Sequence, residues 1–524
     1  MNRTAFFAIA ALLLAGCGDR DEATREHYDI LIVNGTVYDG SLAEPRQANI
    51  GIAGDRIVTT NAGEAATAEN VVDAAGLVVV PGFIDPHTHA EDDLFEVPGN
   101  ENANYLTQGV TTVFIGNDGA GLPDPATNVQ TMQAQGIGTN VGFFAGHNNI
   151  RREVMGLDNR APSDEELERM RMLVAERMAA GALGLSTGLF YTPGNFSETE
   201  EVVELAMVAA EDGGVYDSHL RDESSYSIGL LGAVEEAIRI GEEADLPVHI
   251  AHLKALGRDV WGQSGDIIAR VAAARERGVD VTADQYPWRA SGTSLESSLV
   301  PAWARADSDE AMRARLTSAD LADRLREEME ANLWRRGGAE SLLVTEESRW
   351  RGMTLAEIAE QLDTDPVSAA IEVVLGDNPG VASFNMNPDD ISALAIQPWV
   401  MTGSDGSTGH PRKYASYPKG YRDFVVDSDL MPLRQYVHRS SGLVADSFFL
   451  CDRGYIEAGR KADIAIIDLE QYLPRADFQN PTVLSTGVVH LYVNGRAAIA
   501  NGERTGVLSG EVIDRQDLSC PGDQ

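Results

Sequence analysis

Between Tyr28 and about Pro81 the apolar residues fall in short alternating runs divided by turns: "YDILIVNGTVYDG", "NIGIAGDRIVTT" and "VVDAAGLVVVPG". Alternation with a period of two, bounded by Gly, Asn and Asp, predicts half-buried strands. The same texture returns in "GYIEAGRKADIAIIDLE", "VVHLYVNGRAAIANGE" and "GVLSG" near the C-terminus. Two β-rich ends around a long middle predict a small β-sandwich domain assembled from residues 27–82 and 431–524.

The middle changes period. Eight apolar strand candidates alternate with helical segments: "LVVVPGFIDPHTH", "GVTTVFIGND", "TNVGFFAGH", "ALGLSTGLFY", "GVYDSHLRDE", "PVHIAHLK", "GVDVTADQYPW" and "QPWVMTGSDG". Ser163-x-x-Glu166 and Ser197-x-x-Glu200 read as capping boxes opening two of the helices. "GDIIARVAAARERG" fills the gap before the seventh strand. Eight strands with intervening helices predict an α/β chain whose residues 83–430 form a (β/α)8 TIM-like barrel. The seventh and eighth strands are separated by far more chain than one crossover helix needs, which predicts an insertion at about 290–350.

The first residues are expected to be a targeting segment outside the fold. Arg3, the apolar run "AFFAIAALLLAG" and Leu14-Ala15-Gly16-Cys17 resemble a bacterial lipoprotein signal, with lipid on Cys17. Residues 18–26 read as a polar tether. The expected location is the periplasmic side of the cell envelope, with the membrane engaged only through the N-terminal lipid. Cys451 and Cys520 can pair in an oxidising compartment, but the expectation is a buried thiol and a tail cysteine.

Composition narrows the partners. Of 524 residues, 81 are acidic and 41 basic, a formal net charge of −40, which argues against nucleic acid and anionic surfaces. Only four of the basic residues are lysines (Lys254, Lys413, Lys419 and Lys461), so the position of each carries information.

Polar residues collect at the C-terminal ends of the predicted strands, where such barrels carry their active sites. The first strand ends in His87-Thr88-His89; at i and i+2 of an extended chain both imidazoles point the same way, which suits a shared metal. The fifth ends in His219, the sixth in His252 and the eighth in Asp405. A lone histidine at a strand end is usually a hydrogen-bonded core residue, but four histidines and an aspartate on strands one, five, six and eight make coincidence implausible and suit a shared metal site.

That constellation resembles the amidohydrolase superfamily. "PGFIDPHTHAEDD", "NVGFFAGHNNIR", "STGLFYTPG", "HLRDE", "AHLKALG" and "GSDGSTGHPR" make the chain similar to its N-acyl-D-amino-acid deacylase (D-aminoacylase) family. The resemblance implies one or two divalent ions, zinc first, held by His87, His89, His219 and His252, with Asp405 as general base. It implies a small-molecule substrate, an N-acyl-D-amino acid or a dipeptide ending in a D-residue. Strand four contains no lysine, so a carboxylated-lysine bridge of the hydantoinase kind is not expected. In the D-aminoacylases a cysteine in a G-N-C-G turn takes that bridging place. Here the turn reads Gly116-Asn117-Asp118-Gly119, which puts Asp118 at the ligand position with oxygen in place of sulfur, and a harder donor makes metals other than zinc more competitive.

Lys254, Tyr191 and Tyr286 are candidates for holding the substrate's α-carboxylate. Arg221 is a candidate either for substrate or for an ion pair with Asp222 or Glu223. His147 and His410 are candidates for supporting the ligands from behind, His410 by orienting Asp405 or else by closing the site or shaping its loop, and His249 reads as packing. Other readings keep the fold and change the substrate to an L-dipeptide, a cyclic amide or a lactone, or keep only metal or ligand binding without turnover.

Overall fold

The computed structural model describes residues 26–515 and Leu518. Cys17, the tether and Cys520 lie outside the described residues.

Eight parallel strands form the barrel: Phe83–Asp85, Val110–Ile115, Asn140–Phe143, Gly184–Gly188, Val215–His219, Val248–Ile250, Val281–Gln285 and Val400–Thr402. Strands one to three pair in parallel. The chain of strand three continues through Ala145–Gly146, which pairs with strand four and starts a parallel run to strand eight. The ring closes just above the sheet. There Thr88 and Gly406 form a parallel bridge, and the Asp405 N–H donates to the His87 carbonyl at 2.9 Å. The loops carrying the proposed chemistry are thus themselves the seam of the barrel.

At the opposite end, Val444, Ala445, Phe448 and Leu450 pack on Ile84, Phe114, Phe144, Val215 and Met401. This apolar plug covers the N-terminal mouth and leaves the C-terminal mouth as the open face. The helix Asp164–Ala179 begins in a complete capping box, with the Ser163 hydroxyl accepting from the Glu166 N–H at 3.3 Å and the Glu166 carboxylate accepting from the Ser163 N–H at 2.8 Å. The second expected box does not form. Ser197 instead donates its hydroxyl to the Gly194 carbonyl at 2.7 Å, so the helix runs Thr199–Glu211 with Glu198 at its cap.

The terminal strands build one continuous nine-stranded sheet, joined across the chain by antiparallel pairing of Ile464–Ile467 with Val78–Pro81. Period-two alternation gives this sheet two buried faces. Val79, Ile464 and Ile466 join Ile30, Ile32, Ile50 and Ile52 in the small domain's own core, while Val78, Val80, Ala465 and Ile467 join the barrel's. The chain crosses from sheet to barrel at Gly82, where a Cβ would come within 2.2 Å of the Thr111 hydroxyl. Glycine is required there by contact with the neighbouring strand.

The inserted unit runs past 350. Its sheet orders Ala290–Ser294, Gly380–Phe384 and Leu342–Val344, so the last strand lies far beyond the expected boundary. Helices between these strands enclose a separate core that includes Leu299, Met329, Leu342, Ile358 and Val373. The chain after 350 supplies part of this core, through Leu355, Ile358, Val367 and Val373. Cys451 is disulfide-bonded, which corrects the expectation of a free buried thiol; Cys17 and Cys520, the chain's other cysteines, are both outside the described residues.

Candidate metal centre and active site

The turn after strand two carries Asp118 over the barrel axis. It is pinned from three strands: the Asn117 amide donates to the Pro86 carbonyl at 3.0 Å and to Asp217 at 3.2 Å, and the Ser186 hydroxyl donates to the Gly116 carbonyl at 2.5 Å. Asp118, His252 and Asp405 all adopt positive φ, at 56°, 35° and 47°. For residues other than glycine this conformation is unfavourable and persists only where the surroundings over-determine it.

Around Asp118 the imidazoles converge. Its Oδ1 lies 3.4 Å from His87 Nε2, 3.3 Å from His219 Nδ1 and 3.4 Å from His252 Nε2; its Oδ2 lies 3.5 Å from His89 Nε2. Asp405 Oδ1 is 3.4 Å from His89 Nε2 and 3.8 Å from His87 Nε2. The expected ligands on strands one, two, five, six and eight therefore meet at one point. Both ring nitrogens of His87, both of His219 and Oδ1 of Asp118 are buried without a hydrogen-bond partner. Buried polar atoms are rarely left so. Imidazole and carboxylate donors gathered around one point are a donor set that suits zinc or another divalent cation. Burial alone would push the Asp118 carboxyl up, but His87 and His219 outweigh it and hold it well below the usual carboxylate range. Burial likewise disfavours a charged His89, yet Asp118 and Asp405 outweigh it and lift that group to about 10. The site strongly attracts positive charge.

Several residues that act on this cluster escape a reading of the sequence. Glu223 Oε1 lies 3.1 Å from His252 Nδ1 and accepts from Lys254 Nζ at 2.5 Å. Lys254 Nζ also lies 2.8 Å from the same His252 Nδ1, so Glu223 and Lys254 together hold that edge of the ring and turn Nε2 towards Asp118, where a ligand is needed. Glu223 stands four residues after His219, and that spacing in "HLRDE" is the one signal for it. Arg412 grips Asp405, its Nη2 donating to Oδ1 at 2.8 Å and its Nη1 lying 2.7 Å from Oδ2. Burial raises the Asp405 carboxyl, but Arg412 and His252 outweigh it and hold the group far below its ordinary range. Beneath the cluster, Asp284 accepts from the His252 N–H at 2.8 Å and pairs with His249 at 3.1 Å, while Asp85 accepts from the Ser404 N–H at 3.0 Å.

The cluster forms the floor of a pocket of about 290 Å³. Tyr191, Tyr286 and Lys254 line it, the Tyr286 hydroxyl without a partner. Burial pushes both phenols above their ordinary range, so they remain hydrogen-bond donors. Three expectations are corrected. Arg221 does not reach the pocket: Glu236, not Asp222 or Glu223, holds its guanidinium at 2.9 Å, beside a neighbouring cavity. His147 touches no ligand: it is the first residue of the helix His147–Met155, and its Nε2 pairs with Glu201 at 2.9 Å. His410 lines the pocket without touching Asp405; its Nε2–H donates to the Ala290 carbonyl at 3.2 Å and its Nδ1 accepts from the Arg412 N–H at 3.1 Å.

Residues 70–499 match the Amidohydrolase family. The chain is 32% identical to the D-aminoacylase of Alcaligenes xylosoxydans xylosoxydans, over 94% of this chain and 99% of that one. It is also 32% identical to the N-acyl-D-glutamate deacylase of the same organism, over 90% and 94%. Among solved structures, N-acyl-D-glutamate deacylase from Bordetella bronchiseptica, in complex with zinc and a phosphonate inhibitor, superposes with a TM-score of 0.80 at 29% identity, covering 93% of this chain and 100% of that one. A D-aminoacylase described with a binuclear metal centre superposes equally well, at 0.80, over the same share of both chains. The converged histidines and carboxylates on a barrel mouth, matched along nearly the whole chain, are those of a metal-dependent hydrolase: the protein belongs to the amidohydrolase family, within its D-aminoacylase group.

Proposed function

We propose that the protein hydrolyses the amide of N-acyl-D-amino acids, or of dipeptides ending in a D-residue, to a carboxylic acid and a free D-amino acid. The observation that carries this reading is the convergence of three imidazole nitrogens on Asp118 Oδ1 beside Asp405, at the floor of a pocket that also holds Lys254 and Arg412. The D-configuration is supported by the activities named for the relatives above.

His87, His89, Asp118, His219, His252 and Asp405 would hold one or two divalent ions, zinc among the candidates. A divalent ion bound there supplies Lewis acidity and lowers the pKa of water towards neutrality. Asp405 takes the proton from the attacking water and delivers it to the departing amine nitrogen. Arg412 keeps the Asp405 carboxyl ionised, the form that can accept that proton. A substrate α-carboxylate sharing the guanidinium weakens this grip and raises the proton affinity of Asp405. The partnerless Tyr286 hydroxyl, Tyr191 and the Lys254 ammonium orient the same carboxylate. Glu223 keeps both Lys254 and His252 in place.

We further propose that the enzyme works at the periplasmic side of the envelope, anchored by lipid on Cys17. The signal-like segment supports this, and the disulfide at Cys451 fits an oxidising compartment. Exclusive turnover of N-acyl-L-amino acids by the metal-loaded enzyme would overturn the D assignment and leave the hydrolase reading intact.

A further inference from the structure

The chain has about two acids for every basic residue, yet among the described residues two buried arginines of the insertion form no ion pair. Arg336 is 3% exposed and lines the active-site pocket. Its guanidinium carbon lies 5.9 Å from the ring centroid of Phe190 and 5.7 Å from that of Tyr226. Its Nε has no hydrogen-bond partner, and among the described residues no carboxylate lies within ion-pair distance of it. Arg305 is 7% exposed and its Nε is equally partnerless; its acidic neighbour Glu296 stands beyond ion-pair distance, as does every other carboxylate among the described residues. It lines the neighbouring cavity, which shares Phe190 and Tyr226 as walls with the pocket. Glu346, the acid on the pocket wall other than the cluster's own and Glu223, accepts from the Gly380 N–H at 2.8 Å and does not pair with Arg336.

A buried guanidinium without a counter-charge is unfavourable unless something supplies one. The α-carboxylate of the substrate has its own partners in Lys254, Arg412 and the two tyrosines. The positive charge of Arg336 is therefore left for a second anionic group. The rings of Phe190 and Tyr226 flank the guanidinium fork, which suits an anionic group such as a carboxylate better than a neutral one.

Resting on the deacylase reading, we propose that Arg336, backed by Arg305, selects substrates carrying a second carboxylate. That group is borne either on the side chain of the amino acid or on the acyl group.

The test uses the metal-loaded full chain and compares kcat/KM for carboxylate substrates with their neutral isosteres. N-acetyl-D-glutamate against N-acetyl-D-glutamine reads the side-chain source; N-succinyl-D-alanine against N-succinamoyl-D-alanine reads the acyl source. One of these ratios is expected to exceed about tenfold. It should fall to near one in Arg336→Met and be largely kept in Arg336→Lys, which retains the charge. Ratios near or below one for both pairs in the wild type, or a ratio unchanged by Arg336→Met, overturn the proposal. Calorimetric titration with D-glutamate, D-glutamine, succinate and succinamate reads the same preference without turnover. A second-carboxylate preference in binding, with no hydrolysis of any N-acyl-D substrate, would sink the deacylase reading and leave this one standing.

Discussion

Asp118 shows how one residue's conformation follows from its neighbours. The turn that carries it needs positive φ at Gly116, Asp118 and Gly119, and a Cβ at Gly119 would lie 2.2 Å from the Asn148 side chain. Aspartate tolerates the left-handed region better than most residues, and the bonds from Asn117 and Ser186 hold it there. Asp118→Ala is expected to remove bound metal and lower kcat/KM at least about a hundredfold. Metal analysis and hydrolysis measured on one preparation check it; an intact metal content would return Asp118 to the role of a turn residue. Glu223→Gln weakens the orientation of His252 and frees Lys254, and is expected to reduce metal affinity about ten- to a hundredfold, read by competition with a chromophoric chelator. The ligands themselves were legible because a strand end sets their direction. Their partners were not. Glu223 and Arg412 act through a loop that folds back and a helix start, and no local period marks either. Among the four lysines, scarcity was informative twice: Lys254 pairs with Glu223, and buried Lys413 pairs with Asp93 at 2.8 Å beside the His89 carbonyl.

At the scale of elements, alternation and helical period sufficed for the barrel strands and for most of the crossover helices. The capping boxes show where such reading ends. Ser163-x-x-Glu166 closes both of its bonds, whereas the Ser197 hydroxyl is taken by the carbonyl three residues earlier, which no local pattern reports. Ser163→Ala is expected to weaken the first turn of the helix Asp164–Ala179 by about 1 kcal/mol. Faster amide exchange confined to residues 164–168 would verify it, and unchanged exchange there would show that the box contributes nothing. The insertion was located but cut short, because its closing strand Gly380–Phe384 pairs with a partner some ninety residues back along the chain. That contact depends on tertiary packing, as does the sheet that joins the two termini.

Across the whole molecule, the small sheet clasps the barrel through Asp463, which accepts from the Asn140 amide at 3.0 Å and from the Asn494 N–H at 2.7 Å. The two halves of that sheet come from opposite ends of the sequence, so barrel and sheet are expected to lose structure together. Occupancy of the metal centre adds to their stability by mass action. Chelation is accordingly expected to lower the thermal midpoint, and added zinc to restore it; an unchanged midpoint would mean that no ion is held by the folded state. Cys17→Ala is expected to move the protein from the membrane to the soluble fraction, and continued membrane association would remove the lipid-anchor proposal. The central claim is that the converged histidines and carboxylates make a metal-dependent N-acyl-D-amino-acid deacylase. It is tested most directly by offering matched N-acyl-D- and N-acyl-L-amino acids to one preparation of the full chain, with its metal content determined alongside. The account predicts release of D-amino acids in proportion to bound metal and loss of that release on chelation; turnover of the L-series alone, or activity indifferent to metal, would contradict it.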